Sequence, residues 1–293
     1  MTHLAPRDLA FLLLINLIWG FNLIASKVGV QNFPPVLFTA LRFTALALVL
    51  VPFLRWHPGR MLQLLTAAVL SGGLQFSLLF TGLALTTHVG SVAIASQLGV
   101  PFTTLMSVVL LGEVIHWRRR LGILLAFGGV ALIAMQPGVV AERTGLALVV
   151  LSAFVGSLGV IAVKRLGEAI RPLELQAWFA FSGLPVLWPL TCWLESGQRA
   201  AIDAAGAAGW GALAFTVVCS SLVAHTGYYW LIGRYPVSSV SPLTTLSPVC
   251  SVILGVVLLN DALTPKLVAG GVLTLVGVTI IALRDPSAVD TGS

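Results

Sequence analysis

The fold is decided by residues 98–130, which read LGVPFTTLMSVVLLGEVIHWRRRLGILLAFGGV. Two apolar runs are separated here by a short segment that carries Glu113 and three consecutive arginines. A helix of about 20 apolar residues, rising ~1.5 Å per residue, crosses the ~30 Å hydrocarbon core of a bilayer. The stretch therefore predicts two membrane-spanning helices joined by a short charged loop.

The rest of the chain has the same composition. Its 293 residues are 58% hydrophobic and 9% charged, whereas soluble domains carry charge at roughly a quarter of their positions. So few charges cannot cover a water-facing surface, which predicts that most of the outside faces lipid. Hydropathy windows place ten spans at Leu9–Ala25, Pro35–Leu54, Leu62–Leu83, Val89–Leu111, Leu121–Met135, Gly145–Val163, Leu173–Leu194, Trp210–Ile232, Val237–Leu259 and Leu267–Leu283. We predict an all-α membrane protein with ten transmembrane helices.

The basic residues between the spans indicate an orientation. Lysine and arginine are enriched in cytoplasmic loops. With the N-terminus inside, the inner segments hold Arg7, Arg55, Arg60, Arg118, Arg119, Arg120, Lys164, Arg165, Arg171, Arg234 and Arg284, against Lys27, Arg143, Arg199 and Lys266 outside. Both termini are therefore predicted to be cytoplasmic, with residues 284–293 as a cytoplasmic tail. The net charge of +6 does not indicate a nucleic-acid partner, because the basic residues are scattered between apolar runs.

The pattern of residues 98–130 recurs near the end of the chain. The matched pairs are Pro101 with Pro248, one residue out of register, and, at an offset of 148, Glu113 with Asp261, Gly122 with Gly270 and Gly129 with Gly277. Glycine and proline are common in membrane helices, so chance is the alternative explanation. If the repeat is real, five helices per half is an odd number, and the second copy enters the membrane from the opposite side. This predicts two inverted five-helix repeats, 9–135 and 145–283, which are typical of secondary transporters.

The motifs of the first half resemble the drug/metabolite transporter superfamily, in its ten-helix EamA-domain branch. The matching elements are Trp19-Gly20-Phe21-Asn22 with Lys27, Leu41-Arg42-Phe43, Leu98-x-x-Pro101 with Gly112-Glu113, Gly122, and Gly129-Val130. The second half departs from the pattern, since its first helix lacks Trp-Gly and Asn260-Asp261 replaces Gly-Glu. Within the branch the chain looks most like the YddG-type amino-acid exporters.

The resemblance implies a secondary transporter that exports small amphipathic solutes, amino acids including aromatic ones, across the bacterial inner membrane by alternating access. A multidrug or other metabolite exporter of the same superfamily is the alternative. We expect a small-molecule substrate, contact with membrane lipid, no nucleic acid, no cofactor and no metal, and function as a monomer. A membrane-embedded enzyme is the remote alternative: Gly156-Ser157-Leu158-Gly159 resembles a serine site only superficially, and we assign no catalytic residue.

The resemblance also implies a substrate cavity between the halves, near the bilayer midplane. Flat apolar faces and neutral hydrogen-bonding groups suit such a cavity. The candidates are Trp19, Asn22, Arg42, Gln75, Phe80, Ser96, Gln97, Trp178, His225, Tyr228, Trp230, Ser241, Thr244 and Thr245. The alternatives are lipid contact for the aromatics, a structural pair or snorkelling for Arg42, and a neutral hydrogen-bonded ring for His225.

Proline inside a helix removes a backbone donor, which predicts kinks or hinges in the fourth and ninth helices. The hinge candidates are Gly20, Pro101, Pro242 and Pro248, and the gate or helix-end candidates are Lys27, His88, Glu113 and Asp261. We expect Glu113 and Asp261 at outer helix ends, and expect Lys27 and Lys164 to snorkel to the interfaces. The glycines of the fifth and tenth helices are expected to serve close helix packing.

Overall fold

The computed structural model describes residues 4–135, 140–166, 170–235 and 240–283, and in these residues the regular structure is helical, with no strand. The helices are α1 (Pro6–Asn32), α2 (Pro35–Leu50), α3 (Met61–Ala68, Val69–Leu74 and Gln75–Leu85), α4 (Val89–Ser96 and Gly99–Leu111), α5 (Trp117–Ala134), α6 (Val140–Leu166), α7 (Pro172–Leu194), α8 (Ala207–Phe215, Thr216–Ala224 and His225–Arg234), α9 (Leu246–Leu259) and α10 (Pro265–Ala282). A short helix, Gln198–Ala204, lies between α7 and α8.

The prediction of an all-α membrane protein is confirmed. Eight helices of the described residues are long and apolar enough to cross a membrane, and Leu243–Leu259 is a shorter apolar helix. Helix α5 is not among the eight, and its first turn carries three arginines. Proline at the first helical positions begins α1, α2, α7 and α10, where its missing N–H costs nothing.

Two helices are interrupted where proline was predicted to kink them. In α4 a turn at Gln97 and Leu98 separates the two pieces, and Pro101 is the third residue of the second piece. In α9 a 3₁₀ turn, Ser241–Thr245, precedes a helix whose third residue is Pro248. The side chains of Ser241 and Pro242 lie outside the described part of the chain. Helix α1 runs unbroken through Gly20, so this hinge candidate does not interrupt its helix in the described state.

Helices α3 and α8 each contain a π-helical stretch, Val69–Leu74 and Thr216–Ala224. In α8 the wider turn is accompanied by side-chain bonds to carbonyls five residues back. The Ser221 hydroxyl donates to the Thr216 carbonyl at 2.9 Å, and His225 Nδ1 lies 2.7 Å from the Ser220 carbonyl oxygen. The hydropathy pattern did not predict these stretches, which occur frequently at functional sites.

Helices α5 and α10 cross closely through glycine, as expected. A Cβ on Gly122 would lie 2.7 Å from the Gly277 carbonyl oxygen, and Gly129 packs in the same way against Gly270. Between these contacts the Thr274 hydroxyl lies 3.4 Å from the Ala126 carbonyl oxygen. Because Gly122 matches Gly270 and Gly129 matches Gly277 at the offset of 148, the contacts on α5 and α10 are reciprocal.

Other contacts between the described helices of the two halves are also reciprocal: where a helix of one half packs on a helix of the other, their equivalents pack on each other as well. Helix α1 packs on α8 and α9, while α6 packs on α3 and α4; α2 packs on α7. At the α1–α9 crossing a Cβ on Gly20 would lie 2.5 Å from the Cβ of Cys250, and the Ser251 hydroxyl donates to the Gly20 carbonyl at 3.0 Å. Gly20 is therefore a close-packing residue.

Candidate functional site

A cavity of about 540 Å³ lies inside the bundle. Its walls come from α3, α4, α6, α10 and the 3₁₀ turn before α9. It extends from Gln75 and Gln97, in the middle of their spans, to Glu113, Arg119 and Lys164 at the end of the bundle where α4 ends and α5 begins. This end is called the Glu113 end, and the opposite end, where α4 begins and α9 ends, is called the Asp261 end.

Nine of the 21 residues that line the cavity carry a hydroxyl or an amide, and they lie among apolar residues such as Val100, Ile161 and Val278. Five predicted residues line it: Gln75, Ser96, Gln97, Thr244 and Thr245. Thr103, Thr104, Ser107 and Ser157 also line it and were not predicted. Thr103 and Ser107 are four residues apart on α4, and this i, i+4 spacing of hydroxyls in an apolar helix was a signal that could have found them.

The break in α4 brings its polar groups to the cavity. Because Pro101 has no N–H, the Gln97 carbonyl accepts instead from the N–H of Val100 at 3.1 Å, in a tighter turn. The Thr103 hydroxyl donates to the Gly99 carbonyl at 2.7 Å and the Ser96 hydroxyl to the Val92 carbonyl at 2.9 Å. Hydroxyls that donate to their own helix keep acceptor lone pairs for a ligand, while the Gln75 and Gln97 amides offer both donors and acceptors.

Charged side chains surround the mouth of the cavity. Glu113 follows Gly112, which ends α4 in the left-handed conformation at φ 71°. The Glu113 carboxylate forms an ion pair with Lys164 at the end of α6. Hydrogen bonds from Lys164 and Ser107 hold the pKa of Glu113 below its ordinary value. The mouth therefore presents both signs of charge at neutral pH, since Arg119 also lines it.

The Asp261 end is closed. Lys27 is buried and donates through Nζ to the Leu83 carbonyl at 2.9 Å and to the Thr86 carbonyl. Asp261 is also buried, and its Oδ2 accepts from the N–H of Gly90 at 3.2 Å. His88 Nδ1 lies 3.7 Å from Asp261 Oδ1. These contacts tie α1 to α3, and the start of α4 to the segment after α9.

Two expectations about these charges are corrected. Glu113 and Asp261 are not both at outer ends, because Asp261 contacts the first turn of α4 and Glu113 follows its last turn. Lys27 does not snorkel: its carbon stem and ammonium are inside the bundle, where two carbonyl groups satisfy it. Lys164 does reach the end of the bundle, where its partner is Glu113.

The predicted aromatic residues do not line the cavity. Phe80 is fully buried in the packed core. The Trp178 indole N–H donates to the Arg55 carbonyl at 2.9 Å, near the end of α2. Trp230 is 46% exposed, with the Arg234 guanidinium 4.6 Å from its ring centre. In this state, therefore, none of the described residues that line the cavity is aromatic.

Trp19, His225 and Tyr228 form a separate cluster between α1 and α8. The Trp19 ring centre lies 5.2 Å from that of His225 and 5.4 Å from that of Tyr228. The short contact of His225 Nδ1 with the Ser220 carbonyl identifies Nδ1 as the protonated nitrogen, so the 3.4 Å approach of the Trp19 indole N–H is not a second strong bond. Asn22, also predicted for the cavity, has a buried Oδ1 without a hydrogen-bond partner.

Arg42 lies midway along α2, outside the lining of the cavity. Its Nη2 donates to the Ser221 hydroxyl at 3.0 Å, and its guanidinium lies over the rings of Phe76 and Phe80, 4.9 and 5.6 Å from their centres. Only 3% of the residue is exposed. It does not snorkel, and no acidic side chain of the described residues pairs with it.

These features define a class: a polytopic helical membrane protein with a polar cavity that opens at one end of the bundle. The EamA-like transporter family matches residues 8–135 and 143–283, and the chain belongs to this family. The predicted resemblance is confirmed. As a member of a transporter family, the chain is a multi-pass inner-membrane transporter rather than an enzyme.

Known proteins share its length and fold. A "Probable amino-acid metabolite efflux pump" of Escherichia coli is 26% identical, over 99% of this chain and 100% of its own. The protein of the same description from Salmonella typhimurium is 27% identical, over 94% of this chain and 95% of its own. A crystal structure that is 19% identical covers 94% of this chain and 96% of its own with a TM-score of 0.62, and it shares the fold.

Proposed function

We propose that this transporter exports small amphipathic solutes, amino acids including aromatic ones, across the inner membrane by alternating access. The observation that carries the proposal is the polar cavity with both signs of charge at its mouth. Hydroxyl and amide groups suit the ammonium and carboxylate of a zwitterion. Two relatives that match nearly the whole chain are each described as a "Probable amino-acid metabolite efflux pump", which supports the same substrate class.

We further propose ten crossings arranged as two inverted five-helix repeats, 9–135 and 145–283, with both termini in the cytoplasm. The reciprocal contacts of α5 with α10 support a two-fold relation between the repeats. A residue that contacts its own equivalent lies near a two-fold axis, and Ala126 and Thr274 make such a contact. The three arginines in the first turn of α5 support a cytoplasmic position for the Glu113 end, because arginine is enriched in cytoplasmic segments. The proposed tail, 284–293, lies outside the described residues.

In this orientation the described state is open to the cytoplasm and closed to the outside. A cytoplasmic amino acid enters past Glu113 and Lys164 and binds to Gln75, Gln97 and the neighbouring hydroxyls. The opposite state closes this mouth and separates α1 from α8 and α9. We propose that Trp19, His225 and Tyr228 contact the solute in that opposite state. They would then supply the aromatic walls that the inward-facing cavity lacks.

A facilitated cycle is the simpler energetic scheme. Among the described residues, the cavity's one carboxylate is Glu113 at its mouth, so the lining offers no deep Asp or Glu as a proton carrier. The same feature disfavours the alternative substrate class of cationic drugs, which bind best beside a buried carboxylate.

The experiment is flux of labelled L-phenylalanine into proteoliposomes, with and without a pH gradient. We expect saturable flux that persists without the gradient, and Gln97→Ala is expected to raise the half-saturating concentration about fivefold, since one hydrogen bond contributes ~1 kcal/mol. Gln31→Ala, which changes an exposed glutamine at the end of α1, is the matched control. Flux equal to that of empty vesicles for a panel of amino acids would contradict the proposal.

A further inference from the structure

Arg42 is a buried cation whose hydrogen-bonding capacity is largely unused. A guanidinium has five N–H donors on three nitrogens. Nη2 donates to Ser221, while Nε and Nη1 are buried and have no hydrogen-bond partner. Leaving buried donors of a charged group unpaired is costly. An acceptor that reaches these nitrogens would remove that cost.

The described part of the chain does not supply such an acceptor as a carboxylate. Its acidic residues lie at helix ends and in connecting segments, namely Asp8, Glu113, Glu142, Glu174, Glu195, Asp203 and Asp261. Arg42 lies half a helix away from these positions, in the middle of α2. An ionisable group at such a depth is by default a functional candidate, because desolvated charge is expensive.

The geometry leaves one edge of the guanidinium free for a bidentate ligand. A guanidinium has two edges that each present a pair of parallel N–H donors. One pair is Nε–H with Nη2–H, and the other is Nη1–H with the second hydrogen of Nη2. The Ser221 hydroxyl occupies one of the two Nη2 hydrogens, so one complete pair of parallel N–H donors remains. The rings of Phe76 and Phe80 offer π faces and no lone-pair acceptor. A carboxylate fits two parallel donors.

We propose that Arg42 binds the carboxylate of the transported solute, with Phe76 and Phe80 contacting its apolar part. The inference rests on the proposed function, because it names the group by which that solute is recognised. Gln75 lines the cavity and the next residue, Phe76, lies against Arg42, so a single turn of α3 separates the two sites. That turn follows the π stretch of α3, and Ser221 lies in the π stretch of α8. Arg42 is buried in the described state, and the solute gains access to it when α3 and α8 move at their π stretches.

The test compares L-phenylalanine with L-phenylalaninamide, which keeps the ring and the amine and lacks the carboxylate. Dissociation constants are measured from thermal stabilisation of the purified full-length protein, and inhibition constants from competition with labelled phenylalanine flux. We expect wild-type protein to bind phenylalanine roughly tenfold more tightly or better, because hydrogen bonds between charged groups are stronger than those between neutral groups. Arg42→Gln is expected to reduce that ratio to about one, and Arg42→Lys, which keeps the charge without the fork, to leave an intermediate ratio.

Arg199→Gln is the matched control, because it removes a guanidinium that is 96% exposed on the short helix. Equal affinity of wild-type protein for both compounds would overturn the proposal, and so would a folded Arg42→Gln protein that keeps the wild-type ratio. If Arg42→Gln does not fold, Arg42→Lys decides, and a folded Arg42→Lys protein that keeps the wild-type ratio would overturn the proposal. Carboxylate-dependent binding without flux above empty vesicles would contradict the proposed export of amino acids and leave the assignment of Arg42 standing.

Discussion

Glu113 and Asp261 occupy equivalent backbone positions in different environments. Each follows a left-handed residue that ends its helix, Gly112 at φ 71° and Asn260 at φ 56°, and each N–H bonds a carbonyl six residues back. Asn is among the few residues besides glycine that tolerate this conformation, which explains the exchange of Gly-Glu for Asn-Asp. Glu113 is partly exposed beside Lys164, whereas Asp261 is buried beside His88.

Removing the Glu113 carboxylate should have a small, pH-dependent effect on stability. Glu113→Gln is expected to lower the free energy of unfolding by less than about 1 kcal/mol, since the ion pair with Lys164 is partly exposed. A lowered native-state pKa contributes stability above the ordinary value of 4.5 and loses it as the pH falls through the lowered pKa. The melting-temperature difference between wild type and variant should therefore stay constant from pH 8 to 5 and vanish only below pH 4.5. A difference that disappears between pH 7 and 6 would contradict this.

The polar part of the cavity could be predicted and the aromatic part could not. An amide such as Gln75 or Gln97 in an apolar helix must avoid lipid, so its position predicts an interior face. An aromatic ring is accommodated in lipid, at the membrane interface, in the packed core or on a cavity wall, so its presence in an apolar span does not predict an interior face. Phe80 lies in the core and Trp230 on the surface, although both were predicted to line the cavity.

At the scale of helices, the apolar spans predicted the eight long apolar helices of the described residues and the shorter Leu243–Leu259, but the π stretches of α3 and α8 went unpredicted. A hydropathy window cannot detect one extra residue per turn. The prolines of α4 and α9 did predict their interruptions, because each leaves a carbonyl without its usual N–H partner, whereas α7 runs unbroken through Pro185 and Pro189. The glycines of α5 and α10 predicted close packing for a comparable reason, since the contact leaves no room for a side chain.

The α5–α10 crossing can be tested with two matched glycine-to-alanine substitutions, each of which adds a single methyl group. Gly129→Ala places a Cβ against Thr274 and Gly270, whereas a Cβ on the neighbouring Gly128 meets nothing within 4 Å. We expect Gly129→Ala to destabilise the protein by about 1–3 kcal/mol through overpacking and Gly128→Ala to be neutral or slightly stabilising. Melting temperatures in detergent measure both. Equal melting temperatures for the two variants would contradict the described crossing.

At the scale of the whole molecule, alternating access requires the Asp261 end to open. A Cβ on Gly90 would lie 3.5 Å from a γ-carbon of Val252, within reach of a disulfide. In a background without the free cysteines Cys192, Cys219 and Cys250, the pair Gly90→Cys and Val252→Cys should form a disulfide under oxidation. We expect flux to stop on oxidation and to return on reduction.

The two single-cysteine variants are the controls for this experiment, and their flux should not respond to oxidation. Undiminished flux through the cross-linked protein would show that the Asp261 end does not open during transport. Such a result would contradict alternating access and leave the identity of the solute unaffected.

The reciprocal packing of α5 on α10 also bears on the balance between the two states. If exchanging the halves converts one state into the other, every contact shared by both halves contributes the same free energy to each state and cancels from their difference. The resting population then depends only on positions where the halves differ, such as partly exposed Glu113 beside Lys164 against buried Asp261 beside His88. A substitution in the α5–α10 seam would change how stable the protein is, while a substitution at one of those unequal positions would change which way it faces.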